Sequence, residues 1–287
     1  MRSAYKNIIV LVALLVQLFF SACAQREKYT SPDHYDLTKP EKILMPSVLH
    51  EISGIAFLNG NADMLYAEQD EEGKVFYLKP GDKKAQHTKF GKPGDYEDIA
   101  ICNNYVIMLR SDGSLYTFPF SEIGKPEAAN VQEWKGLIDK GEYEGLYADN
   151  TTSKVYIMCK TCKDVDAAKE GGGYVLQLNN DGSLTTQGRF NFDVKKIASI
   201  AGNMKAPFHP SALAFNSVQQ QWYILSSVNR LLVVTDANFA INNVYKLSPA
   251  WYIQPEGIAF DASQNLYISN EGGKTDNGNV LRIAYKH

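Results

Sequence analysis

Apolar and polar positions divide the chain into two unlike parts. Residues 8–16 form an unbroken apolar run, which Leu18, Phe19 and Phe20 extend past Gln17. Downstream, apolar residues come in short segments that alternate with polar ones, the pattern of half-buried strands. The last part of the chain predicts strands at 257–260, 265–269 and 279–284. A similar series runs through 213–215, 222–226, 231–235 and 243–247, and another through 99–101, 105–109, 114–118 and 131–134. Turn residues separate them, as at Asp112-Gly113, Asn180-Asp181-Gly182 and Asp261-Ala262-Ser263. Only 194–200 reads as a short helix. No amphipathic helices recur between the strands, which disfavours alternating strand–helix units.

One phrase occurs five times. It reads Glu51-Ile52-Ser53-Gly54-Ile55-Ala56-Phe57, Tyr96-Glu97-Asp98-Ile99-Ala100-Ile101, Tyr143-Glu144-Gly145-Leu146-Tyr147, Pro210-Ser211-Ala212-Leu213-Ala214-Phe215 and Pro255-Glu256-Gly257-Ile258-Ala259-Phe260. With Gly54, Asp98, Gly145, Ala212 and Gly257 as equivalents, the spacings are 44, 47, 67 and 45. A period near 45 with short alternating segments predicts an all-β propeller of four-stranded blades. Five blades are expected, or six if the insertion at 193–204 hides another sheet. The last unit lacks a fourth strand. Tyr35-Asp36-Leu37 mirrors Tyr245-Lys246-Leu247, so residues 35–45 are expected to complete that blade and protect the sheet edges. Residues 34–287 then form a single propeller domain.

The first segment reads as an address. Arg2 and Lys6 precede the apolar run, which is too short for a comfortable membrane span. Phe20-Ser21-Ala22-Cys23 resembles the bacterial lipobox, with Phe20 where Leu is usual. Residues 1–22 are thus a lipoprotein signal peptide, Cys23 the lipidation site, and 23–33 the lipidated cysteine and its polar tether. An ordinary cleaved signal and an uncleaved anchor are the alternatives. The lipoprotein reading places the protein at the cell envelope, membrane-anchored on its periplasmic or outer-membrane side.

Composition adds three points. Seventeen Tyr, 13 Phe and 21 Gly suit pleated surfaces and turns. Lys and Arg total 29 against 32 Asp and Glu, a net charge of -3, which argues against a nucleic-acid partner. The domain is expected to be a monomer with a small-molecule or protein ligand. Of four Cys, Cys159-Lys160-Thr161-Cys162 sits at a strand end rather than a helix N-terminus. A local disulfide between Cys159 and Cys162 suits an oxidising compartment, leaving Cys102 as a buried apolar side chain.

In a propeller the first strand of each blade lines the channel. Glu51, Glu97, Glu144 and Glu256 are therefore expected at the channel mouth as metal candidates, with Ser211 in the fourth slot and Asn270 and Glu271 as further candidates. Crowded carboxylates need a cation or raised pKa values, and hard oxygen donors suit Ca²⁺. The structural alternative is that these carboxylates accept backbone N–H bonds from neighbouring loops. Loops on the same face offer Glu68, Asp70, Glu71, Glu72 and Lys274, with Arg110, Lys160 and Arg230 at related places. Mixed charges of this kind could hold a metal with an anionic substrate. His50 and His209 precede blade starts, and either could act as a general base. Catalytic candidates are thus His50 and Glu256. Gly171-Gly172-Gly173 lies between strands with no helix after it and is not a phosphate loop.

The recurring Gly-Ile-Ala phrase, with Asn265-Leu266-Tyr267-Ile268-Ser269-Asn270-Glu271 in the last blade, resembles the SdiA-regulated, YjiK-like family. Glu51-Ile52-Ser53-Gly54-Ile55 and Tyr143-Glu144-Gly145-Leu146 carry most of the likeness. The resemblance covers about residues 44–285 and implies an envelope β-propeller, with calcium in some relatives and a likeness to propeller phytases. Two function classes follow: an envelope-anchored propeller that binds a ligand or partner at its channel mouth with Ca²⁺, or a Ca²⁺-dependent phosphoesterase or lactonase using the same mouth.

Overall fold

The computed structural model describes residues 29–163, 168–202, 204, 207–273 and 276–287. The 1–22 leader, Cys23 and Lys274 lie outside the described residues. Among those described are five four-stranded antiparallel sheets. Blade 1 comprises β2 (Ile52–Ala56), β3 (Leu65–Gln69), β4 (Lys74–Leu78) and β5 (Gln86–Lys89). Blade 2 comprises β6 (Tyr96–Cys102), β7 (Tyr105–Arg110), β8 (Leu115–Pro119) and β9 (Gln132–Trp134). Blade 3 has longer strands, β10 (Gly141–Ala148), β11 (Lys154–Cys162), β12 (Glu170–Leu178) and β13 (Leu184–Asp193), followed by helix α1 (Val194–Ala201). Blade 4 comprises β14 (Ala212–Asn216), β15 (Gln221–Ser226), β16 (Leu231–Asp236) and β17 (Ile241–Lys246). Blade 5 comprises β18 (Pro255–Phe260), β19 (Leu266–Asn270) and β20 (Asn279–Ile283), with β1 (Glu41–Leu44) as its outer strand.

The protein is a five-bladed propeller. The long 67-residue spacing is taken up by the extended strands of blade 3 and by α1, with no sixth sheet among the described residues. Asp193 caps α1 by accepting from the Lys196 backbone N–H at 3.1 Å.

Burial follows the radial position of each strand. Inner strands such as β2 are buried throughout, whereas the outer β1 and β13 are largely exposed. Inner strands β2, β6, β10, β14 and β18 pack side by side around the axis, and β18 returns to β2. The apolar core is split into five clusters, one at each junction between neighbouring blades. Every blade therefore buries both faces against neighbours, and no cluster survives if the ring opens at its junction.

Two devices close the ring. In the antiparallel β1–β20 ladder, Glu41 faces Arg282 and Leu44 faces Asn279. Just upstream, Tyr35 and Leu37 enter the blade 4–5 cluster beside Tyr245 and Leu247. The Tyr35 hydroxyl donates to the Gln264 carbonyl at 2.8 Å and accepts from Asn216 Nδ2 at 2.9 Å. No described helix is long and apolar enough to cross a membrane.

The Gly171–Gly173 run lies inside β12 rather than between strands. A Cβ on Gly173 would come within 1.8 Å of the Ile157 carbonyl oxygen, so the neighbouring strand leaves no room for a side chain.

Candidate functional site: a carboxylate-lined channel mouth

The first strand of four blades carries a register shift at its entry, and in three of them the skipped residue is a glutamate. In β6, Tyr96 pairs with Arg110 and Asp98 with Leu109, so Glu97 is skipped. In β10, Tyr143 pairs with Cys159 and Gly145 with Met158, skipping Glu144. In β18, Pro255 pairs with Asn270 and Gly257 with Ser269, skipping Glu256. A bulge re-aims the unpaired residue, and here it gives three blades the same glutamate at the same place. Ser53 and Ser211 hold the equivalent positions in the other two blades.

Glu51 is not part of that ring. It lies in the turn before β2, two residues ahead of Ser53, level with Asp95, Glu142, His209 and Gln254. Its charge still reaches the mouth, because Glu51 and Glu271 each act on Asp70 or on one another. The two serines are structural. Ser211 Oγ donates to the Pro255 carbonyl at 3.2 Å, while the Ser53 carbonyl accepts from Ser269 Oγ at 2.5 Å.

Electrostatics show that the three bulge glutamates share one space. Burial, then the charges of Glu144 and Asp95, pushes Glu97 up to about 9. Burial, then Glu144 and Glu271, pushes Glu256 up to about 8. Burial raises Glu144 as well, against the pull of Lys160. Lys160 Nζ bonds Glu144 directly and lies 3.0 Å from Glu142 Oε1. Burial works against the Lys160 ammonium, but its bonds to Glu144 and Glu142 outweigh this and hold its pKa above the ordinary lysine range.

A cavity of about 470 Å³ opens here, lined by Glu144, Lys160, His209, Ser211, Ser227, Asn229, Arg230, Gln254 and Glu256. His209 Nδ1 is buried without a hydrogen-bond partner. The channel's other end holds a smaller cavity, about 260 Å³, walled by Ile55, Ile99, Leu146, Leu213 and Ile258. It carries none of the mouth glutamates.

Blade 1 departs most from expectation. Glu68 is not on a loop rim but within β3, fully buried, accepting from the Gly54 backbone N–H at 2.6 Å. Its Oε2 has no partner, and burial raises its pKa well above the ordinary range. Asp98, which sequence alignment equated with glycines, is a buried inter-blade clamp. Its carboxylate accepts from the Ile99 N–H at 2.8 Å and the Leu146 N–H at 2.6 Å. The Cβ that Gly54 lacks would stand 2.3 Å from Asp98 Oδ1, so the glycine makes room for the carboxylate. The signal for Asp98 was present as the one acidic residue in a glycine column.

The two candidate bases are separated. His50 Nε2 lies 3.1 Å from the Gly273 carbonyl and lines a different cavity, about 550 Å³, with Glu51, Glu71, Glu72 and His87. Glu256 and His209 line the mouth cavity instead. Asn270 is fully buried, its Nδ2 donating to Asn279 Oδ1 at 3.2 Å. Glu271 accepts from Gln254 Nε2. Arg110 pairs with Asp112. A disulfide joins Cys159 and Cys162, and Cys102 is a buried free thiol.

The carboxylate and amide oxygens are of the hardness calcium takes. Among the described residues, however, no three His, Cys, Asp or Glu side chains meet as a metal-holding group. An ammonium already sits on Glu144.

No family model matches the chain, and no curated protein matches it. The likeness to the SdiA-regulated family therefore stands on the quoted motifs alone. Among solved structures the chain is similar to the glutaminyl cyclase of Myxococcus xanthus, at 15% identity, TM-score 0.55, covering 86% of this chain and 96% of that one. It is also similar to a luciferin-regenerating enzyme, at 10% identity, TM-score 0.51, covering 86% of this chain and 95% of that one. At such identities the likeness is one of fold.

Proposed function

We propose that the protein is a ligand-binding propeller, tethered at the cell envelope through Cys23, whose channel mouth receives a ligand bearing a positively charged nitrogen. The observation that carries this reading is the repeated bulge, which aims Glu97, Glu144 and Glu256 into one mouth where Lys160 is bonded to Glu144. Among the described residues neither Glu97 nor Glu256 has an ion-pair partner as Glu144 does, and an ammonium or guanidinium group on a ligand would supply one. Ser227, Asn229 and Gln254 line the same cavity and supply hydrogen bonds for the rest of a polar ligand. The envelope location rests on the lipobox-like segment.

His50 is occupied with a backbone carbonyl and lines a different cavity from Glu256, whereas His209 lines the mouth with an unpartnered Nδ1 that a bound ligand can use. The test is thermal melting and calorimetric titration at pH 8 with butylammonium, butylguanidinium and calcium chlorides. Saturable stabilisation by an organic cation, lost in Glu256→Gln, is the expected result. Stabilisation by calcium alone, or by none of the three, would overturn it.

A further inference from the structure

Lys160 occupies a singular place in β11. Glu142 faces Thr161 and Tyr143 faces Cys159, so the ladder skips Lys160; one step on, it skips Glu144 on the opposite strand. The two skipped residues meet as an ion pair, with Glu142 as a second partner at 3.0 Å.

What holds this end of β11 is unusual. The β11–β12 ladder ends at Cys159 facing Gly172, so among the described residues Lys160, Thr161 and Cys162 have ladder partners in β10 alone. A second restraint is the disulfide, which spans three positions with Cα atoms 6.1 Å apart and closes the backbone around Lys160 and Thr161. A loop so short gains little global stability from cross-linking. Its effect is local: it limits the backbone freedom of a long side chain whose ordering is entropically costly. Cys162 is only half-buried, within reach of a reductant.

We infer that the Cys159–Cys162 disulfide holds Lys160 on Glu144 as a tethered counter-ion of the mouth, and that reduction releases it. In that step the S–S bond takes two electrons and two protons from a dithiol, which is oxidised to its own disulfide, and no other bond changes. The consequence for the mouth rests on the ligand reading above: with Lys160 gone, an outside cation has three acids to pair with instead of two. The tether itself can be tested without any ligand.

The experiment is acylation of the full chain by an N-hydroxysuccinimide ester at pH 8, with modification of each lysine followed by peptide mass spectrometry. It compares the oxidised protein, the protein reduced with dithiothreitol, and Cys162→Ser, with Lys135 as the exposed reference. In the oxidised protein Lys160 should react at least about tenfold more slowly than Lys135, because Glu144 and Glu142 hold its ammonium. Reduction and Cys162→Ser should each erase most of that difference while circular dichroism stays unchanged. Glu144→Gln should erase it without reduction. Equal Lys160 rates before and after reduction would overturn the inference, and so would a general acceleration of all lysines, which means unfolding rather than local release. Butylammonium affinity in the same two redox states reports separately on the ligand reading: Lys160 release with no gain in affinity would sink that reading and leave the tether standing.

Discussion

Glu97 and Glu256 are acids that the fold keeps from ionising. Their pKa values rise from the usual 4.5 to about 9 and about 8. Between those limits the folded protein retains protons that the unfolded chain has released, so stability falls as pH climbs through the window and is fully present below 4.5. Glu97→Gln and Glu256→Gln should each stabilise the protein by about 1–2 kcal/mol at pH 8.5 and by almost nothing at pH 5. Denaturant melts at the two pH values would check this, and equal effects at both would refute the assignment. A cation that binds must first displace these protons. Its affinity should therefore rise between pH 6 and 9, with proton release visible as buffer-dependent heat. Gly54 makes a sharper steric case. Gly54→Ala would drive a Cβ to 2.3 Å from Asp98 Oδ1 and 2.6 Å from Asp98 Cα. A loss of about 2–3 kcal/mol is expected, at the upper range for overpacking. At this scale the sequence was legible in kind but not in register. Glu97, Glu144 and Glu256 stand out as a repeat, and Glu51 falls in with them by chemical type although it lies two positions earlier, in the turn before the strand. Its true counterpart is Ser53, which carries no charge to attract attention.

At the scale of elements, the strands were readable because alternation reports directly which face is buried. The helix at Val194–Ala201 was readable too. The bulges were not, since a bulge is a relation between two strands and leaves no mark on one. The Gly171–Gly173 run misled for a similar reason. Glycines usually interrupt strands, but here Gly173 is pressed against Ile157 of β11, and Gly171 and Gly172 against Phe192 and Phe190 of β13, so side chains are excluded. Gly173→Ala should separate β11 from β12 at Met158, where Gly173 is paired. The expected loss is about 3 kcal/mol or more, because the clash is with backbone and cannot be relieved by a rotamer change. Hydrogen exchange should show the amides of 155–159 losing protection before those of blade 5. Uniform loss across all blades would mean the ring responds as one unit and the clash is not local.

Across the whole molecule, the sequence exposed the ring through its period and its missing last strand. Where the closing strand would fall was less clear, since the mirrored Tyr35-Asp36-Leu37 packs into the blade 4–5 cluster while the ladder itself is formed by Glu41–Leu44. The distinction matters for how the ring is held. Five apolar clusters lie between blades, so each blade's stability depends on two neighbours, and the segment around Tyr35 meets Tyr285 at the blade 4–5 junction. Lys286 donates its backbone N–H to the His34 carbonyl at 2.8 Å, so the C-terminal end is fastened beside the start of the closing segment. A circular permutant can therefore separate strand content from chain order. Residues 46–287 followed by a short flexible linker and residues 29–45 would make blade 5 from four strands in sequence, with β1 reached from β20 through residues 284–287, the linker and residues 29–40. Because the β1–β20 pair is antiparallel, such a connection is sterically allowed. The permutant should keep the circular dichroism spectrum of the parent and melt cooperatively within a few degrees of it. Residues 46–287 alone should lose that cooperativity, since β20 becomes an open edge and the blade 4–5 cluster loses Tyr35 and Leu37. If the shortened chain melts as the parent does, the N-terminal segment is ornament and the ring is closed by the blade clusters alone.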